Sequence, residues 1–273
     1  MPSIDAARRR VRLSDAHLSV LGLLVDEGRL PDELTGAREE LRTAGILDAD
    51  DRISPDLYPL VATLMEPRVI VRAEISGPQG TTRSGAVIGD DFLFTHENWP
   101  GDAESEYVPA EPETLVWALA RMVDLHRDFT GEADSAEVID STLGTFDDVV
   151  ARMEAGGHEE PQAVAEAVGA PVRLAEVLAE LNCMWRMTAV WQAPGGKPDD
   201  PERAVRSLAV WDCGVEGYWL RERPAEPVLD GQVDASSELR VRRTTAKELW
   251  QLITNLLPDG TELASPSTAD TAS

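Results

Sequence analysis

The feature that most constrains this chain is an internal echo. Residues 108–119 read VPAEPETLVWAL and residues 241–252 read VRRTTAKELWQL, so Val108, Trp117 and Leu119 fall on Val241, Trp250 and Leu252. Upstream, Ala86-Val87-Ile88 falls on Ala209-Val210-Trp211, and Val71, Ala73 and Ile75 fall on Met187, Ala189 and Trp191. A unit of helices, short strands and one closing helix is thus written twice in 273 residues. Each copy on its own would leave an antiparallel sheet with an unpaired edge. Two copies related by a quasi-two-fold axis can join those edges. The expected fold is therefore α+β, a duplicated unit with a central antiparallel β-sheet flanked by helical lobes. Such a shape suits protein binding better than a deep catalytic cleft.

The hydrophobic periods place the elements. Leu18, Leu21, Leu24 and Val25 recur at helical spacing behind a Ser14-Asp15 cap, and Gly28 ends that helix. Leu34, Ala37, Leu41 and Ala44 mark a second helix, and Leu57, Leu60, Val61 and Leu64 a third behind Ser54-Pro55. After Pro67 the period changes to two, giving strands at 69–75, 85–88, 92–95 and 106–110, then a helix from Pro112. Residues 130–137 read as a connection. A helical stretch at 147–181 is broken at Gly156-Gly157 and at Gly169. Strands follow at 185–191, 208–211, 215–220 and 239–243, with a last helix capped by Thr245. The expected organisation is a basic N-terminal arm at 1–13, a first half at 14–129, a second half at 138–258 and a flexible tail at 259–273.

Charge narrows the function classes. Fifty acids against 25 bases give −25, which disfavours nucleic acid as a partner. Disorder is excluded as a default by an apolar fraction of 42% and seven tryptophans. No apolar run reaches 18 residues, so no membrane helix is expected, and no secretory signal is read. Cys183 and Cys213 cannot build a disulfide framework or a four-ligand zinc site.

Catalytic signals are weak. His17, His96, His126 and His158 share no metal-ligand spacing. His126-Arg127-Asp128 matches a kinase tripeptide without the Asn that should follow. Asp90-Asp91 and Asp212 occupy matching turns, where a turn role suffices. Asp48, Asp50 and Asp51 fail as a calcium loop because Pro59 stands where its distal Glu belongs. No catalytic, cofactor-binding or metal-ligating residue is assigned, and no cofactor is expected. The tryptophans are more informative. Trp185, Trp191, Trp211 and Trp219 lie on strands of the second half, with an alternation compatible with one sheet face. Core packing explains them most simply. Partner binding is the rival, with Trp191, Trp211 and Trp219 as its candidate residues. The run from Glu97 to Glu113 holds six acids and no base, a solvated loop or a surface for a basic partner.

Residues 41–64, LRTAGILDADDRISPDLYPLVATL, lead through Pro67 into the strand ending at Ile75, and residues 237–258 read SELRVRRTTAKELWQLITNLLP. In these segments the chain resembles the EspG family of ESX (type VII) secretion-associated proteins of actinobacteria. The resemblance covers most of the chain in order and length, through compositional motifs. It implies a quasi-two-fold α+β fold around an antiparallel sheet. It also implies a non-catalytic cytosolic chaperone or adaptor that binds helical secretion substrates of the PE–PPE type and masks their aggregation-prone tip. The family brings no catalytic residues. Two other readings stay open. Residues 14–53 can be read as a winged-helix regulator with a wing at 46–53, although residues 1–60 carry eight Arg against twelve acids. An enzyme could use Asp90, Asp91 or His96. A homodimer also remains open.

Overall fold

The computed structural model describes residues 1–26, 28–126, 137–156, 159–194, 203–222 and 233–263. Their strands form one eleven-stranded sheet, antiparallel at every junction. Its centre is the pair β3 (Val69–Gly77) and β8 (Cys183–Gln192), in register from Val69 opposite Trp191 to Ser76 opposite Met184. On one side lie β4 (Gly80–Ile88), β5 (Leu93–Asn98), β6 (Glu104–Pro109) and β2 (Arg10–Ser14). On the other lie β9 (Arg203–Asp212), β10 (Tyr218–Arg221), β11 (Glu238–Thr244) and β7 (Val138–Thr142). A short β1 (Ser3–Asp5) extends the first side. The strand order is therefore the same outward from the β3–β8 junction in both directions, the quasi-two-fold arrangement expected. Strand order describes architecture, not descent.

The two faces of the sheet carry different helices, and the strand period decides which. In β5, Leu93 points to one core and Phe94 to another; in β9, Val210 and Trp211 separate in the same way. Beneath one face, α4 (Leu115–Met122) and α8 (Ala246–Leu256) pack together against the central strands through Leu115, Leu119, Leu249 and Ile253. On the opposite face, α1 (Asp15–Val25), α2 (Thr35–Thr43) and α3 (Tyr58–Met65) cover β2, β5 and β6. There too, α5 (Leu143–Gly156), α6 (Pro161–Val168) and α7 (Val172–Ala179) cover β7, β10 and β11. The first lobe starts from an uncommon capping box. Ser14 Oγ accepts from the His17 N–H, and the buried His17 ring returns a bond as Nδ1 accepts from the Ser14 N–H at 3.0 Å. That tautomer leaves Nε2–H to donate to Glu40 at 3.1 Å, which ties α1 to α2.

Several expectations change. Residues 1–13 do not stand off as an arm: β1 and β2 form a hairpin, and β2 pairs with β6 from Val11–Tyr107 to Ser14–Glu104. Val11 and Leu13 point into the first lobe, while Arg10 meets Glu106 at 2.9 Å and Arg12 bonds Asp102. The amino terminus meets Glu104 at 2.7 Å. The acidic run thus has much of its basic counterpart inside the same sheet. The mirror strand β11 reverses the signs, with Arg240 on Asp140 and Glu222. β7 falls between the connection at 130–137 and the helical stretch from 147, where the sequence periods announce no element. The tail also begins fixed, as Arg206 donates to the carbonyls of Asn255 and Leu257, both at 3.1 Å, and pairs with Glu262. Residues 264–273, like His158, lie outside the described residues.

Candidate partner-binding face

Between the two helical lobes, β4, β3, β8 and β9 share a face that is open along its middle: Arg83, Arg72, Arg186 and Val205 are exposed there, whereas Val87 on β4 is buried and Trp211 on β9 belongs to the second lobe's core. On β3, Val69, Val71 and Ala73 point down to α4 and α8, so Ile70, Arg72, Glu74 and Ser76 point up between the lobes. The registers set the rows of this floor. Ile70 faces Val87 on one side and Val190 on the other; Val87 continues to Phe94, and Val190 to Val205. This apolar row runs from the buried Phe94 to Val205, which is 57% exposed. The next row holds Arg72 between Gly85 and Thr188, with His96 beyond Gly85. In the third, Glu74 bonds Arg186 at 2.7 Å and lies 3.4 Å from Arg83. These two guanidiniums, Arg186 first, hold the Glu74 carboxyl below the usual carboxylate range.

The geometry sets what could lie there. Four strands at about 4.8 Å spacing make a floor roughly 15 Å across, against about 10–12 Å for a helix with its side chains. The walls are acidic: residues 15–66 hold twelve acids and four arginines, and residues 143–180 hold eight acids and two arginines. The floor is cationic, with Arg72, Arg83 and Arg186 against Glu74.

His96 sits where the floor meets the first lobe. Its ring stacks on Tyr107 at 5.3 Å, and it lies over Gly85. A Cβ at Gly85 would come 2.1 Å from the Val71 carbonyl oxygen and 3.0 Å from His96 Nε2, so only glycine fits there. Burial first, then the Arg72 cation, lowers the His96 pKa to about 4. Burial pushes Tyr107 up to about 12.

The structure places the sequence-chosen tryptophans inside. Trp191 is 5% exposed, Trp211 4% and Trp219 fully buried, so none offers a surface anchor. They do not share one face either. Trp185 and Trp191 join the core over α4 and α8, whereas Trp211 and Trp219 face the second lobe. Trp211 stacks on Phe146 at 5.2 Å, and the Arg173 guanidinium lies 5.5 Å from the Trp219 ring. Alternation within one strand could not reveal this, because the face depends on register between strands. The aromatic side chains at the surface are others, Trp99 and Trp117 among them.

The remaining candidates have structural roles. Asp48 Oδ1 accepts from the N–H groups of Asp50 and Arg52, and Asp212 Oδ1 accepts from Gly214 N–H. Asp90 lies 3.2 Å from Arg68, and the charged groups acting on His96 are Arg72 and Asp15 rather than Asp90 or Asp91. Burial pushes the Cys183 thiol up to about 11 and Cys213 higher still, the opposite of an activated nucleophile. Ile46, Leu47 and Ile53 are buried in the first lobe rather than raised as a wing. The α2 arginines that could meet phosphates, Arg38 and Arg42, both bind Asp51. Among the described residues, no group of three or more His, Cys, Asp or Glu is placed to hold a metal, and no helix is long and apolar enough to cross a membrane.

No protein-family model matches the chain, and no curated protein matches it. A solved structure does: that of the Mycobacterium tuberculosis type VII secretion system chaperone EspG5, in complex with a PE25–PPE41 dimer. It aligns over 93% of this chain and 99% of its own, with a TM-score of 0.55 and 11% sequence identity. The chain has the fold of that chaperone, as the resemblance in residues 41–64 and 237–258 implied.

Proposed function

We propose that this protein is a non-catalytic chaperone of the EspG type, which receives the end of a helical secretion substrate on the open face between its lobes. The observation that carries the reading is the partly open floor centred on β3 and β8, where Arg72, Arg186 and Val205 are exposed, in a fold shared with a chaperone solved with a PE–PPE pair. The apolar row of Ile70, Val190 and Val205 would bury the apolar side chains of a helix tip. Acidic walls would favour a substrate with basic residues behind that tip, and would speed encounter at low salt. The reading places the protein in the cytoplasm, where an exposed apolar tip needs cover before export.

Co-expression with PE–PPE-type pairs encoded by the same genome tests this. The expected result is a soluble complex that survives gel filtration and restores solubility to a pair that precipitates alone. A pair equally soluble with and without the protein, and no complex at low salt, would overturn the reading.

A further inference from the structure

We infer that a cavity between the β1–β2 hairpin and the start of α3 binds a free α-amino acid with a large apolar side chain. The cavity measures about 330 Å³, and its walls include the buried Val11, Leu57, Leu60 and Phe94. At roughly 30 Å³ per water it has room for about eleven waters, or for one molecule of about a dozen non-hydrogen atoms. Apolar walls alone would take any hydrophobic group, but three polar groups narrow the choice. Tyr107 lines the cavity at 6% exposure, and its hydroxyl has no hydrogen-bond partner among the described residues. A buried tyrosine hydroxyl ordinarily finds one. Arg9 stands at the rim, also without a partner among the described residues, on left-handed backbone at φ 54°. Few residues this bulky are held in that conformation, which gathers at ligand sites. Asp56 stands at the same rim, likewise unpartnered among the described residues.

The charges at the rim fix the class of ligand. Asp5, the other acid there, is taken up by Arg8 at 3.2 Å, and Arg10 by Glu106 at 2.9 Å. That leaves one free cation and one free anion, Arg9 and Asp56, which share the rim without pairing. A zwitterion satisfies both, its carboxylate on Arg9, its ammonium on Asp56 and its side chain among Leu57, Leu60 and Phe94. The Tyr107 hydroxyl, kept protonated by burial, is a neutral donor for the same ligand. A simple acid would meet Arg9 and be opposed by Asp56, and a simple amine the reverse. The terminal residue of a polypeptide carries only one of the two charges and is rejected for the same reason. Phenylalanine has the size of the space. Val11 belongs to β2 and Leu60 to α3, so the ligand ties the hairpin to the first lobe. The inference does not rest on the chaperone reading.

Titration calorimetry of the full chain with L-phenylalanine tests this. The expected Kd is on the order of 1 mM or tighter, as a ligand of this size allows. N-acetyl-L-phenylalanine lacks the ammonium and stands for a chain's C-terminal residue. L-phenylalaninamide lacks the carboxylate and stands for an N-terminal one. Each should bind at least about tenfold more weakly. Arg9→Asn, a residue that tolerates left-handed backbone, should raise the Kd about tenfold with an unchanged far-UV spectrum. Tyr107→Phe, which keeps the ring, should raise it about threefold or more, and Trp117→Ala, on the other face of the sheet, should leave it unchanged. No binding up to roughly 10 mM L-phenylalanine overturns the inference. So does an acetylated or amidated ligand that binds as tightly, or unchanged binding by Arg9→Asn or Tyr107→Phe.

Discussion

His96 offers a prediction whose magnitude follows from its surroundings. Its imidazole is neutral in the fold, with a pKa of about 4, because it is buried against Tyr107 beside Arg72. In the unfolded chain it titrates at its ordinary 6.5. Below 6.5 the unfolded chain therefore binds a proton that the folded chain refuses, and stability falls until the folded group also titrates near 4. Above 6.5 the two states agree and the contribution is complete. The gap corresponds to a ceiling of about 3 kcal/mol, of which about 2 kcal/mol is lost between roughly pH 7 and pH 5. His96→Phe removes the titration while keeping a flat ring over Gly85. It breaks no bond of Nδ1, which has no partner among the described residues. Urea unfolding of both chains at several pH values isolates the effect, since carboxylates contribute alike to both. The variant should gain about 2 kcal/mol relative to the parent from neutral to about pH 5. Parallel pH profiles would refute the buried, neutral assignment.

Three further outcomes follow from particular contacts. Gly85→Ala should cost about 1–3 kcal/mol in a urea titration, because its Cβ meets the Val71 carbonyl of the neighbouring strand. Trp219→Ala should cost about 3–5 kcal/mol, as expected for emptying a core site, whereas Trp219→Phe should cost far less because the indole N–H has no partner among the described residues. Val205→Glu, a change at a 57% exposed site in the apolar row, should leave the unfolding midpoint within about 0.5 kcal/mol of the parent and weaken substrate capture about tenfold or more, because the carboxylate would lose its water against the apolar tip, read by titration calorimetry.

Much of this architecture was legible because the strand and helix periods are clean. Val69, Val71 and Ala73 point one way along β3, and Leu249, Leu252 and Ile253 lie at helical spacing in α8. The echo of Val–Trp–Leu correctly paired β6 and α4 with β11 and α8. What escaped was long-range pairing. β7 is a five-residue edge strand whose partner, β11, lies about a hundred residues on, and nothing local in VIDST announces it. Residues 8–12 read as a charged arm because four arginines obscure the inward Val11 and Leu13, and their counterions on β6 are just as distant. The tryptophans misled in a related way. Their residue type suits an interface anchor or a core, and only inter-strand register assigns Trp211 and Trp219 to the second lobe. The open floor was not legible as a site at all. It is made of ordinary Ile, Val, Arg and Thr, and it becomes a surface because the lobes leave it bare.

The central claim is that the floor of β4, β3, β8 and β9 takes the substrate. Hydrogen exchange on the purified chain, alone and with a co-expressed PE–PPE-type pair from the same genome, tests it most directly. The account predicts new protection in the described parts of β3 and β8 and in the lobe helices that wall the groove, with α4 and α8 unchanged. Protection confined to α4 and α8, or to the β1–β2 edge, would contradict it.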